Sequence, residues 1–248
     1  MPQNNSSDVE AQPAQSSSFS QLWKESVDPK HTDLVCLLLC LVTGLCDSSA
    51  YNVWSCFLAM QTGNTIFLGL GASNQPSNKP WGWLKSLMSI AAFFVGSFLF
   101  SNITRRVGAT RRAVALIEAD LTPHTAGDIS LTGGRLFLEL IPIALLAFQS
   151  AGSITSSRSL GYNEIPTVVL TSVYFDVASD PKLAQAPMAN PKRNRRIGGV
   201  VCLLVGAIMG GWLSRSRGEM QSALWIAAGF KFVTGLGWLL WKGKPTTL

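Results

Sequence analysis

Charge is scarce in this sequence: Asp, Glu, Lys and Arg make up 14% of its 248 residues, where a soluble domain carries roughly 25%. Such a chain cannot furnish an ordinary solvated surface. Histidine is scarcer still, and the two present, His31 and His124, sit far apart in polar stretches that offer no metal or haem pair. The five cysteines, Cys36, Cys40, Cys46, Cys56 and Cys202, all fall within apolar runs. With no Cys-x-x-Cys and no neighbouring histidine they read as small hydrophobes, and neither a metal site nor a disulfide framework follows. No phosphate-binding glycine loop, Gly-x-Ser-x-Gly elbow or His-Glu-x-x-His occurs. A nucleotide-driven pump, a serine hydrolase and a metalloprotease are thereby set aside, no cofactor is expected, and the chain is not expected to be an enzyme. The N-terminal stretch lacks any apolar run. Rich in Ser, Gln, Asn and Pro, it cannot bury enough surface to order itself, and it lacks the basic start and short apolar segment of a signal peptide.

What the sequence has in abundance is apolar residues, 47% of the total, with a mean hydropathy of +0.26. They gather in blocks of about 15 to 20, and about 20 helical residues at a 1.5 Å rise cross a hydrocarbon core of roughly 30 Å. The blocks run Leu34 to Ala50, Val53 to Gly71, Leu87 to Thr104, Leu136 to Ser153, Ile165 to Ala178, Ile197 to Ser214 and Ser222 to Trp241. The fifth is the weakest, being short and carrying Pro166, Thr171, Ser172 and Asp176. The expectation is an all-α, polytopic transmembrane helix bundle of seven spans, with six as the alternative. A polar tail (residues 1–32) precedes a transmembrane domain (33–242), and a short tail (243–248) follows it.

Basic residues give the orientation, because cytoplasmic loops are enriched in Lys and Arg. Arg105, Arg106, Arg111 and Arg112 follow the third block, and Lys192, Arg193, Arg195 and Arg196 precede the sixth. Seven spans put both clusters on the cytoplasmic side and the N-terminus on the other, where Asn4 and Asn5 begin glycosylation acceptor patterns. The net charge of +6 is explained by these loops, so lipid is the expected partner and nucleic acid is not.

An internal repeat is also visible. Phe94-Val95-Gly96-Ser97 resembles Leu204-Val205-Gly206-Ala207, and each run leads through apolar residues into arginines. Thr62-Gly63-Asn64-Thr65 is echoed by Thr171-Ser172-Val173-Tyr174. Two three-helix units (33–106 and 134–217), a connecting loop (107–133) and an extra helix (220–242) follow. Three being odd, the units are inverted relative to each other, as in many secondary transporters.

Thr43-Gly44-Leu45-Cys46-Asp47, then Met60-Gln61-Thr62-Gly63-Asn64-Thr65, and later the run from Leu160 to Thr171, LGYNEIPTVVLT, together resemble the YoaK-like membrane proteins of domain-of-unknown-function family 1275. The resemblance covers about Asp33 to Trp241 and departs from the commoner pattern at Thr171-Ser172, where Thr-Gly is usual. It implies a multi-pass membrane protein and assigns no activity.

The chemistry must come from polar groups inside the spans. A charge at mid-bilayer costs about 2.5 to 3.5 kcal/mol on insertion scales, so one that persists faces a cavity or a partner. Asp47, Glu139, Asp176 and Lys231 are the candidates; Glu139 is close enough to a span end to reach the interface. Lys231, near the middle of the last block, calls for a buried partner in Asp47 or Asp176. The run from Gln61 to Thr65 reads as a break in the second helix, matched at Thr171 and Ser172. Paired breaks point to a midplane site, although small and hydroxyl residues also pack helices together. The expected site is therefore Asp47, Gln61, Thr62, Asn64, Thr65, Thr171, Ser172, Asp176 and Lys231, binding a small solute or ion in a secondary transporter. The alternative is a non-transporting accessory or scaffold protein. Gly206-x-x-x-Gly210 reads as a helix-packing element.

Overall fold

The computed structural model describes residues 27–28, 31–78, 81–107 and 137–241. Most of both tails, with Asn4, Asn5, Lys242 and Lys244, and most of the connecting loop, with Arg111, Arg112 and His124, lie outside the described residues.

Seven α-helices form among them: α1 Thr32–Trp54, α2 Gln61–Ala72, α3 Gly82–Val107, α4 Leu140–Ser159, α5 Thr171–Ala178, α6 Pro191–Leu213 and α7 Glu219–Leu240. A 3-10 turn, Pro187–Ala189, precedes α6. Four helical segments are long and apolar enough to cross a membrane: Thr32–Trp54, Gly82–Arg106, Phe137–Ser159 and Pro191–Leu213. The bundle turns large apolar side chains outward and buries polar ones within its apolar core. Phe94, Phe98, Leu204 and Ile208 are each at least half exposed, whereas Thr43, Asp47, Asn64, Gln149, Ser153, Ser156 and Ser157 are buried. A soluble protein arranges these classes the other way round.

The ends of the long helices are written locally. α1 stops at Ser55, which takes a left-handed conformation (φ 57°) and donates its N–H to the Tyr51 carbonyl at 2.9 Å. α4 stops in a Schellman turn: Gly161 has φ +85°, its N–H bonds the Arg158 carbonyl, and the Tyr162 N–H bonds that of Ser157. α6 begins with Pro191 in its first turn and Asn190 as its cap, the Asn190 side chain accepting from the Arg193 N–H at 3.1 Å.

α2 and α5 have only 12 and 8 residues, too short for a hydrocarbon core of roughly 30 Å. Each follows an irregular segment that turns back into the bundle. The amides of Leu58, Ala59 and Met60 bond Asp47, about two turns before the end of α1. α2 then runs antiparallel to α3, with Asn64 beside Ser89 and Gly71 against Trp83. At the other end, Pro166 reaches Gly199 and α5 returns so that Asp176 meets Arg196. The second and fifth apolar blocks are therefore re-entrant: each leaves the bundle at the end where it entered.

The long helices pack in two parallel pairs. α1 lies on α6 in the same direction, as successive contacts show: Asp33 with Arg195, Leu37 with Gly198, Leu41 with Gly206, Asn52 with Ser214. Glycine makes this approach possible, since a Cβ on Gly44 would overlap the Leu203 carbonyl and one on Gly206 the Leu41 carbonyl. α3 lies on α4 in the same direction, from Trp81 with Phe137 and the Lys85–Glu139 ion pair to Phe100 with Phe148. Val107 and Phe137 consequently sit at opposite ends of that pair. α7 runs antiparallel to α1: Leu224 packs near Trp54 at one end, and Trp238 packs on Val27 and Val35 at the other.

This path corrects the expected orientation. The start of α1 lies at the same end as Arg105, Arg106, Arg193, Arg195 and Arg196, because two of the seven blocks turn back instead of traversing the bundle. Arg195 ties that end together: it bonds Asp33 at 3.1 Å and Glu164 at 3.0 Å and lies over the Tyr162 ring.

Candidate functional site

The first re-entrant turn, residues 55–60, carries backbone groups into the bundle interior without helical partners, and such groups are tolerated only when something satisfies them. Asp47 satisfies three: Oδ1 accepts from Leu58 N at 2.7 Å and Ala59 N at 2.8 Å, and Oδ2 from Met60 N at 3.1 Å. Its carboxylate sits at the N-terminal end of α2, where helix amides favour negative charge. Asn64 works from the other side, accepting from Phe57 N at 2.9 Å and donating to Phe57 O at 2.8 Å. It also donates to Gln61 Oε1 and to Ser89 Oγ. Ser89 Oγ also donates to Phe57 O at 2.7 Å, and Gln61 Nε2 and Ser150 Oγ donate to Leu58 O, each at 2.9 Å.

The break and the helix are thus displaced from where the sequence suggested. Gln61 to Thr65 do not interrupt α2. They form its first turns, and the irregular backbone is the six-residue stretch 55–60 just before them. Thr65 donates to the Gln61 carbonyl at 2.8 Å on the exposed face, and Thr62 is exposed.

Behind Asp47 lies a cavity of about 20 Å³ lined by Thr43, Asp47, Gln149, Ser150, Ser153 and Lys231 together with apolar neighbours. That is room for about one water molecule. Asp47 and Lys231 are 4% and 6% exposed, yet no ion pair joins them. Lys231 therefore brings a buried amine to the wall of a cavity whose one carboxylate among the described residues is already held by three amides.

The second re-entrant turn is built differently. No carboxylate caps it; Ser157 Oγ meets Thr167 Oγ1 at 3.3 Å, and Thr32 donates to the Tyr162 hydroxyl at 3.0 Å. A cavity of about 70 Å³ lies there, lined among others by Ser157, Arg158, Thr167 and Ser172. Thr171 and Ser172 are exposed at the start of α5, and Asp176 pairs with Arg196 at 3.1 Å. The expected site residues thus fall into two groups. Asp47, Gln61, Asn64 and Lys231 gather around the first turn, while Thr171, Ser172 and Asp176 belong to the second, with α4 running past both. Among the described residues no cluster of three His, Cys, Asp or Glu side chains could hold a metal.

Outside the bundle the loop between α5 and α6 is pinned by Asp180. It accepts from the Asn190 amide and from Lys182 N, each at 2.8 Å, and the Asn190 hydrogen bond foremost holds its carboxyl below the usual range. Sequence reasoning missed Ser89, Gln149, Ser150 and Ser153. Ser89 is a single serine in an apolar stretch of α3, and Gln149, Ser150 and Ser153 open the polar half of α4, a cluster of polar residues within a predicted span that is the signal that could have found them.

The family described as "Protein of unknown function (DUF1275)" matches residues 35–237, most of the chain, and the protein belongs to it. No curated protein and no solved structure matches the chain.

Proposed function

We propose, with membership of that family as the premise, that the protein is a multi-pass integral membrane protein acting as a secondary transporter of a small solute or ion. Its interior site is the Asp47–Lys231 cavity. The membrane placement is supported by four helices of sufficient length and hydropathy and by apolar faces turned outward. An inverted repeat is supported by the order long helix, irregular turn, short helix, long helix, which occurs twice. Exchanging α1 with α4 and α3 with α6 maps the parallel pair α1–α6 onto the parallel pair α4–α3, and it reverses the direction of each helix. Gly96 against Phe148 and Ala151 is then the counterpart of Gly206 against Leu41 and Leu45.

The observation that carries the transport reading is the pair of opposite charges on one buried cavity without a bond between them. An intramembrane ionisable residue marks a functional site by default. A proton arriving at Asp47 weakens its hold on Leu58, Ala59 and Met60 and so frees the tip of the first re-entrant turn. It also leaves the Lys231 charge unbalanced, which favours entry of an anion. The cavity, at the size of one water, corresponds to a closed state in this scheme.

Satisfied backbone from Phe57 to Met60 favours a second reading, an accessory protein whose polar residues only lock helices together. Ser153→Cys, in a chain whose own cysteines are replaced, separates the two through labelling with a membrane-impermeant thiol reagent. Transport requires labelling in at least one condition of pH or solute. A cysteine that stays unlabelled in all of them sinks the transporter and leaves the scaffold.

A further inference from the structure

At the basic end of the bundle an open groove of about 440 Å³ lies between α3 and α4. Arg105 and Arg158 stand on it with Thr104, and it continues past Ser97 and Ile154 to Phe93. The two arginines differ from Arg195 and Arg196 at the same end. Arg195 and Arg196 are each paired with carboxylates, whereas Arg105 among the described residues reaches only the neutral Asn102 Oδ1 at 2.8 Å. Among the described residues Arg158 has no hydrogen-bond or ion-pair partner, and none that lines the groove is acidic. Two guanidinium forks on one groove match a phosphate, which arginine recognises through parallel N–H donors.

The groove's other end says what carries that phosphate. From Arg105 to Phe93 the α3 wall is 12 residues long, or about 18 Å, close to the half-thickness of a hydrocarbon core of roughly 30 Å. Ser97 keeps the furrow shallow-walled, Phe93 and Ile154 line its depth, and the adjoining face of α3 exposes Phe94 and Phe98. A free phosphate would use the mouth and leave this furrow without purpose; an acyl chain fills it.

We infer that the α3–α4 groove binds one anionic phospholipid, its headgroup phosphate on Arg105 and Arg158 and an acyl chain along the furrow. This rests on the membrane placement and not on transport, and alkaline extraction of membranes checks the placement separately. Basic pockets between transmembrane helices on one side of a membrane suit such headgroups.

The test is native mass spectrometry of the full-length protein in detergent, with added phosphatidylglycerol or phosphatidylcholine. One phosphatidylglycerol per chain should be retained in preference to phosphatidylcholine. The double variant Arg105→Gln, Arg158→Gln should weaken retention roughly 30-fold, about fivefold for each arginine. Arg158→Gln alone, at an exposed and unpartnered position, should cost about fivefold without affecting folding. The charge-matched control Arg106→Gln, Lys192→Gln should leave retention unchanged. Equal retention of the two lipids, or a control that weakens binding as much as the double variant, overturns the site in favour of general attraction. Inorganic phosphate that displaces the lipid and stabilises the protein equally well overturns the lipid in favour of a free anion.

Discussion

Replacing Asp47 tests the structural role of the most connected polar group in the bundle. Its carboxylate takes three backbone N–H groups, from Leu58, Ala59 and Met60, and hydrogen bonds to a charged group contribute about 1.5 to 3 kcal/mol each. Asp47→Asn keeps one carbonyl oxygen for Leu58 and Ala59 but turns an NH2 toward the Met60 N–H, setting donor against donor. The loss is one bond together with the charge assistance to the others, about 2 to 4 kcal/mol. Asp47→Ala leaves all three amides without a partner, about 4 to 9 kcal/mol by the same values. Set against a total stability of roughly 5 to 15 kcal/mol, the alanine variant should be close to unfolding. Thermal unfolding of the purified chain should rank the parent above Asn and Asn above Ala. Hydrogen exchange in the Asn variant should accelerate first at Met60. If the alanine variant melts with the parent, or the two variants melt together, the carboxylate is not what holds the turn and the argument for coupling protonation to its movement fails with it.

Three further outcomes follow from the packing and the polar network. Asn64→Asp should lower the melting temperature, by about 2 to 4 kcal/mol of lost and opposed hydrogen bonds, because a carboxylate there faces Phe57 O and Gln61 Oε1 in place of a donor; an unchanged melt refutes the assigned bonds. Gly206→Ala should cost about 1 to 3 kcal/mol by overpacking against the Leu41 carbonyl. Gly235→Ala, with nothing within 4 Å of the added carbon, should be neutral or stabilising by up to about 1 kcal/mol, and equal melts for the two would refute the α1–α6 interface. For Asp180 the folded pKa is depressed, so its contribution is present above the ordinary value and is lost only as pH falls through the lower folded one. Protection of the Lys182 amide from hydrogen exchange should persist below the usual Asp pKa of about 3.9 and vanish in Asn190→Ala; loss at the ordinary value refutes the link.

Where the long helices lie could be read from the sequence, because a run of apolar residues at least as long as a hydrocarbon core has few alternatives to a helix. Blocks one, three, four, six and seven each fall within, or largely overlap, one of the helices α1, α3, α4, α6 and α7. The close approach at Gly206 and Gly210 was legible for a related reason: a missing Cβ is a local property that the sequence states outright. The re-entrant turns were not, since an apolar block of 12 to 20 residues has the same composition whether it crosses the bundle or enters and returns. Only tertiary partners decide, and those partners, Asp47, Ser89 and Ser150, come from three separate helices. Orientation then failed as a consequence of topology, although Arg105 and Arg106 do share one end with Arg193, Arg195 and Arg196. Lys231 was expected to pair with Asp47 or Asp176, but no ion pair joins it to Asp47 and Asp176 is taken by Arg196, a competition that no linear pattern reveals.

The two halves also differ in a way that bears on any transport cycle. The first re-entrant turn is anchored by a carboxylate supplied from its own leading helix, while the second is held inside the bundle by neutral hydroxyls, Ser157 with Thr167 and Thr32 with Tyr162, and at its outer end by the Glu164–Arg195 ion pair. Protonation of Asp47 therefore loosens the buried tip of the first turn, whereas residues 165–170 at the tip of the second include no carboxylate. If the protein moves a solute, the half bearing Asp47 should respond to pH and the other should not, and hydrogen exchange compared at Leu58 to Met60 and at Thr167 to Leu170 reads the two separately. A pH response confined to the second turn, or equal in both, would remove Asp47 from the cycle and leave Lys231 as a buried charge that the fold tolerates without using.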